Sequence, residues 1–447
     1  MTQLRDLVGS ACAELPAATL ARWASIFFTL SVLTFLISLA ASQALLVASA
    51  LVYAVHLLRQ RPAVHFPPVK LPLALFCLFS ILSVFWAANR TVGWFAVRKL
   101  ILFLILLGVV NLVISARHLE MLYRLLFLQS LLAGLVAIGQ FVIQYRAVRA
   151  FHPSRIYYYM TLTRIHGFMG HWMNFGGQQM LVFAALLAFL LLAPRVAPGF
   201  SPAQGEGNSA LRHGGQVPGG ATDRRGGRIW WVVLGTVAVS IVLNFTRGVW
   251  LGCFVATLYL VARWKPRWLW ALPVFLGLGY LAAPSLIRER VNLALHPSAD
   301  PALSIRFEMW RVAMRMIHRH PWAGVGPNNI EQVYALYLPP GKSPEPGYHS
   351  HLHNNFLQFA AERGLPCLAA WVWLMAALAW HFWRIRRRIT QGQWIVDAAI
   401  ATWLAMLAEG FFEFNFGTSP VLMVFLFVMS TPFVAERLEN SVAGDPA

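Results

Sequence analysis

The segment His349–Gly364, H-S-H-L-H-N-N-F-L-Q-F-A-A-E-R-G, gathers the side chains of this sequence best suited to proton transfer. His349, His351 and His353 alternate, Asn354 and Asn355 follow, and Glu362–Arg363 stand just before an apolar run. Imidazole is the side chain that ordinarily titrates near neutral pH. Massed at the mouth of an apolar segment, it points to proton chemistry at a water–lipid boundary. His353, next to Asn354 and entering a helix, is the candidate general base, and nearby arginines would disfavour its protonated form. His349 is kept as a supporting residue, although His349 and His351 read first as solvated loop residues. Zinc is another use for clustered imidazoles, with Glu362 as the local carboxylate, but base chemistry is the stronger reading and no metal is expected.

Arginines supply the second half of the chemistry. Arg164 lies in T-R-I-H-G-F-M-G-H-W-M-N-F-G-G, where Asn174 and Gly176–Gly177 allow close backbone approach. Arg247 lies in N-F-T-R-G-V-W, at a tight turn between two apolar runs, and Arg306 in a long polar segment. Arginine forks match phosphate geometry, so these positions suit a phosphate or pyrophosphate. Helix N-termini opening toward the same region would add favourable dipoles. Glu409 and Glu413, four apart, are expected on one helical face, supporting the site by pairing with an arginine.

The elements that must position these groups are membrane helices. The chain has 447 residues, 58% hydrophobic and 12% charged, against about 25% charged in a soluble domain. Its mean hydropathy is +0.60. Apolar runs predict an all-α, polytopic integral membrane protein with about twelve spans. They fall near residues 21–40, 42–58, 72–88, 95–114, 120–143, 173–194, 229–246, 249–263, 267–283, 364–383, 394–414 and 418–435. Arginine and lysine crowd the even-numbered connections, which places both termini in the cytoplasm. The first span serves as an uncleaved insertion signal.

The expected order is then a cytoplasmic segment at 1–20 and spans one to nine over 21–283, interrupted by a disordered cytoplasmic linker at 195–228. A periplasmic catalytic loop follows at 284–363, then the last three spans over 364–435 and a cytoplasmic tail at 436–447. Within the long loop, residues 305–317 carry apolar side chains at helical spacing and read as an amphipathic helix able to lie on a membrane surface. The net charge of +19 reflects loop anchors rather than a nucleic-acid-binding domain. No nucleotide loop is visible. Cys12, Cys77, Cys253 and Cys367 form no metal or disulfide pattern and read as packing residues.

Three motifs resemble the bacterial O-antigen ligase family, within the O-antigen ligase/polymerase superfamily. They are T-R-G-V-W at 246–250, R-F-E-M-W at 306–310 with H-P-W-A-G-V-G-P-N-N at 320–329, and H-N-N-F-L-Q-F-A-A-E-R-G at 353–364. The third is the most specific. One departure is Pro366, near where family members often carry a second glycine. The resemblance implies glycosyl transfer at the periplasmic face of the bacterial inner membrane. The donor would be a polysaccharide on undecaprenyl pyrophosphate, and the acceptor a sugar hydroxyl of lipid A–core. It implies His353 as the essential histidine and Arg164, Arg247 and Arg306 as pyrophosphate ligands, with no cofactor and no nucleotide. A polymerase or protein O-oligosaccharyltransferase would use the same donor; the end of the chain at Ala447, soon after the last span, favours the ligase. A lipid-glycan transporter is the rival from another class, but it should carry midplane charges, and here the notable charges crowd toward one face.

Overall fold

The computed structural model describes residue 16 and residues 18–193, 223–296, 301–344 and 349–443. Among these residues there is no strand. In chain order the helices are α1 (Thr19–Leu33), α2 (Leu39–Gln60), α3 (Lys70–Leu82), α4 (Arg90–Val97), α5 (Leu104–Leu112), α6 (Ala116–Phe151) and α7 (Ile156–Leu162). There follow α8 (Trp172–Leu192), α9 (Asp223–Leu243), α10 (Arg247–Trp264), α11 (Leu272–Ala282), α12 (Ser285–Leu295), α13 (Pro301–Arg319) and α14 (Ile330–Val333). The last three are α15 (Asn355–Arg388), α16 (Gln393–Gly410) and α17 (Ser419–Ala443).

Each of the twelve expected spans finds an apolar helix, with α4 and α5 joined through a 3-10 turn into one of them. Among the described residues six helices are long and apolar enough to cross a membrane, and shorter apolar ones accompany them. The chain is an all-α polytopic membrane protein. The expected linker lies outside the described residues as far as 222, and residues 223–228 already form the start of α9. The segment expected as a tail from 436 is helical up to Ala443.

α8, α16 and α17 form the centre of the bundle. α8 is buried along most of its length, from Phe175 to Ala188. Small residues let its neighbours come close: a Cβ on Gly176 would lie 2.8 Å from the Asn244 side chain. Buried Gln178 is satisfied by the carbonyls of Phe35 and Pro420, at 3.0 and 3.2 Å. At the far end of α16 from Glu409, Asp397 accepts from Arg386 at 3.0 Å and from Tyr259 at 2.7 Å.

The long segment between α11 and α15 is a small folded unit rather than a strap. Met309, Val312, Ala313 and Met316 of α13 are buried against Val325, Ile330, Tyr334, Tyr337 and Leu352. The expected amphipathic helix therefore forms, but its apolar face is used inside the protein and not on a lipid surface. Burying such a side chain stabilises by about 1.5–3 kcal/mol.

This unit is fastened to α15 by main-chain bonds. The amides of Val325 and Gly326 donate to the carbonyls of Ala361 and Glu362, both at 2.8 Å, and Leu365 N–H donates to Pro321 at 2.7 Å. α15 opens to receive them: Gly364 has φ +82°, breaking the helical path. Pro366 then sits in the first turn of the resumed helix, where its missing N–H costs no hydrogen bond, which accounts for its tolerance there. A Cβ on Gly364 would collide with the Trp322 carbonyl. Gly364→Ala is expected to lower stability by about 1–3 kcal/mol and loosen the loop unit, seen as a lower melting temperature and faster proteolysis within residues 301–344. An unchanged melt would contradict this account.

Candidate functional site

His353 stands at the head of α15, with φ +48°, and is buried. Its neighbours fix it there. Asn354 caps α15, its Oδ1 accepting from Leu357 N–H at 3.0 Å, while its Nδ2 donates to the Phe411 carbonyl at 3.0 Å. Asn355 donates to Asn415 Oδ1 at 2.6 Å and accepts from Phe416 N–H at 3.3 Å. Gln358 accepts from Leu352 N–H at 2.7 Å and donates to Glu362 at 2.8 Å. The amides of this motif thus hold two backbone segments, 351–353 and 411–416, against one another.

What they bring together is a histidine–carboxylate pair. His353 Nδ1 lies 2.9 Å from Glu413 Oε2, and His351 Nε2 lies 3.1 Å from Glu413 Oε1. The two imidazoles are in contact, their planes tilted by 40° and their centres 4.1 Å apart. An ionised carboxylate only accepts, so His353 donates through Nδ1–H, and in the neutral ring the lone pair falls on Nε2. His351 donates through Nε2–H, leaving Nδ1 to accept from Ser350, 3.0 Å away. Arg306 on α13 reaches within 3.9 Å of Glu413.

Charge states follow from these surroundings. Burial lowers the His353 imidazole below its ordinary value; Glu413 opposes this, and His351 and Arg306 add to it. The expected direction holds, but burial outweighs the arginine. Burial alone would raise Glu413, yet His353 and His351 hold its carboxyl well below the usual range. At neutral pH the pair is an imidazole beside a carboxylate, ready to accept a proton at Nε2.

Several assignments change. Glu409 and Glu413 do not share a helical face: α16 ends at Gly410, and Glu413 sits in the connection beyond it. Glu409 is held by Asn415 at 2.9 Å and packs beside Gly248, next to Arg247, and not among the histidines. His351 is part of the pair rather than a solvated residue. His349 faces Glu331 at 3.9 Å and the Tyr334 ring, outside the pair. Glu362 takes no part in the imidazole cluster; it accepts from Asn328 N–H and Gln358, both at 2.8 Å. Arg363 is likewise a packing residue, bound to Ser80 at 2.8 Å between the Phe76 and Phe359 rings. The donor atoms of His351, His353 and Glu413 lie within 4.8 Å of one another, compact enough to hold a transition-metal ion.

The remaining arginines lie on other segments. Arg164 donates to the Thr161 carbonyl at 2.8 Å and lies over the Trp172 ring, 5.4 Å from its centre. Asn174 is half-buried in the first turn of α8. Arg247 is the first residue of α10. Asn244 joins these segments, donating to the carbonyls of Ile165 and Trp172 at 2.9 and 3.1 Å. Arg290 of α12 donates to the Phe245 carbonyl at 3.0 Å, holding the left-handed turn that presents Arg247. His171 was not foreseen: its ring stacks on Trp172, 4.0 Å between centres. Burial lowers its basicity, Glu413 opposes this, and His351, Arg164 and His353 add to it. The G-H-W placement before an apolar run was its only sequence signal.

Residues 232–372 match the O-antigen ligase family. The chain carries an O-antigen ligase domain. The match spans Arg247, Arg306 and His353 and stops short of Arg164 and Glu413. No curated protein matches the chain.

The His353–Glu413 contact leads to an expectation that needs no substrate. Replacing Glu413 by Gln removes the anion that favours imidazolium, so the basicity of His353, already lowered by burial, should fall further. Histidine-resolved NMR titration of the wild type and Glu413→Gln checks this; a raised value in the variant would contradict the pairing.

Proposed function

We propose that this protein is an O-antigen ligase. It moves a polysaccharide from undecaprenyl pyrophosphate to a sugar hydroxyl of lipid A–core, at the periplasmic face of the bacterial inner membrane, in lipopolysaccharide biosynthesis. In this reading both termini are cytoplasmic and residues 284–363 form the periplasmic loop. The observation that carries the proposal is the buried His353–Glu413 pair with Arg306 beside it, at one end of an apolar bundle, in a chain with an O-antigen ligase domain.

The chemistry follows from those groups. His353 Nε2 takes the proton of the acceptor hydroxyl as its oxygen attacks the donor's anomeric carbon. The bond from that carbon to the pyrophosphate oxygen breaks, and undecaprenyl pyrophosphate departs with the bonding pair. In-line attack inverts the anomeric carbon. Glu413 keeps the imidazole in the productive tautomer and stabilises the imidazolium that forms. Arg164, Arg247 and Arg306 stabilise charge on the leaving group. Nothing in this sequence of events requires a metal or a nucleotide.

Purified protein, undecaprenyl-pyrophosphate glycan and lipid A–core, mixed with a chelator, are expected to give glycan-capped lipid A–core. His353→Ala should reduce turnover by about 10²–10⁴-fold without loss of folding. Near-normal turnover by that variant would sink the base assignment, and product formed only without chelator would point to a metal on the His351–His353–Glu413 cluster. Lengthened donor without capped lipid A–core would identify a polymerase. Arg306→Ala is expected to lower kcat/KM for the pyrophosphate donor by about 10²–10³-fold, an outcome steady-state kinetics would refute if donor use were unchanged.

The same pairing sets an acid limit. His353 must be neutral to accept a proton. Activity should therefore be full at neutral pH and decline only as pH falls below the ordinary imidazole range. A pH–rate profile that shows no decline on the acid side would rule this out.

A further inference from the structure

A cleft of about 400 Å³ lies on the loop unit, and none of His351, His353 and Glu413 lines it. Arg315, His318 and Arg319 line one wall from a single face of α13, and Leu336 and Tyr337 line the other. No carboxylate is among its lining residues. Tyr337 organises it: its carbonyl accepts from Arg315, and its ring lies 5.4 Å from the Arg319 guanidinium. His318 and Arg319 are exposed, so their polar ends remain open to a ligand. Trp322, 77% exposed, stands in the turn that follows α13.

We propose that this cleft binds a phosphate-bearing sugar of the acceptor. Arginine pairs select phosphate, and an exposed aromatic face suits a sugar ring. The location fits an acceptor held at a distance from its reacting hydroxyl. Arg306, at the histidine–carboxylate pair, and Arg319, at the cleft, lie on the same helix, about 20 Å apart along its axis. A donor glycan transferred whole needs recognition only near its reducing end. The acceptor must instead offer one hydroxyl among many, and a charged anchor on a rigid helix selects it. The inference rests on the ligase reading for the identity of the ligand, not for the existence of the cleft.

The test uses the full chain in nanodiscs of zwitterionic lipid, with lipid A–core either phosphorylated or phosphatase-treated. His318→Gln/Arg319→Gln should raise KM for phosphorylated acceptor about ten-fold, leaving kcat and donor KM unchanged. Phosphatase treatment should raise KM similarly for the wild type and remove the difference between the two proteins. Unchanged KM, or an equal rise for both acceptors, would overturn the proposal. So would an effect confined to nanodiscs of anionic lipid, which would assign the cleft to lipid headgroups. If no acceptor is glycosylated, the ligase reading itself has failed. Calorimetric titration with delipidated, phosphorylated core oligosaccharide then decides the cleft: binding weakened ten-fold in the variant supports it, and absence of binding refutes it.

Discussion

A carboxylate buried at the end of an apolar bundle constrains everything around it. Left alone, Glu413 would either be protonated or destabilise the fold by several kcal/mol. Here it accepts from both His351 and His353 and lies near Arg306. Those partners come from two separate stretches of chain, and Glu413 from a third. The loop unit and the head of α15 must therefore dock correctly for the charge to be tolerated. Folding and the competence of the base are thus secured by the same contact.

Around that charge the structure uses neutral amides. Asn354, Asn355, Gln358 and Asn415 connect helix ends to loops without adding formal charge. Amides can donate and accept at once, so each one joins two segments. Added lysines or carboxylates would shift the titration of His353, whereas amides position it and leave its basicity to burial and to Glu413. The left-handed backbone at His353 costs about 1–2 kcal/mol, offset by the cap that Asn354 forms one residue later.

Much of this was legible in the sequence. Apolar runs located the helices because the membrane requires long stretches with internally satisfied backbones. The spacing of Met309, Val312, Ala313 and Met316 located α13, although its buried partner was the loop's own core. His353 and the arginines stood out because polar groups at the ends of apolar runs are few. Glu413 was misplaced because helical arithmetic was carried past Gly410, where the chain leaves the helix. His351 was undervalued although alternation puts it on the same side of an extended segment as His353. Asn244 and Arg290 act through carbonyls far away in sequence, and no local pattern announces such contacts.

The fastening of the loop unit to α15 has a consequence for how such chains can diverge. It is made by the amides of Val325, Gly326 and Leu365 and the carbonyls of Ala361, Glu362 and Pro321. No side chain makes these joining bonds, and that of Trp322 is exposed. Substitution along this seam is limited at Gly324, Gly326 and Gly364, where φ is positive and any Cβ strikes backbone, and at Val325, Ala361 and Glu362, whose side chains are buried. The joining bonds read only the main chain, so relatives could keep the same joint with different side chains wherever three glycines hold its path and the buried positions stay filled.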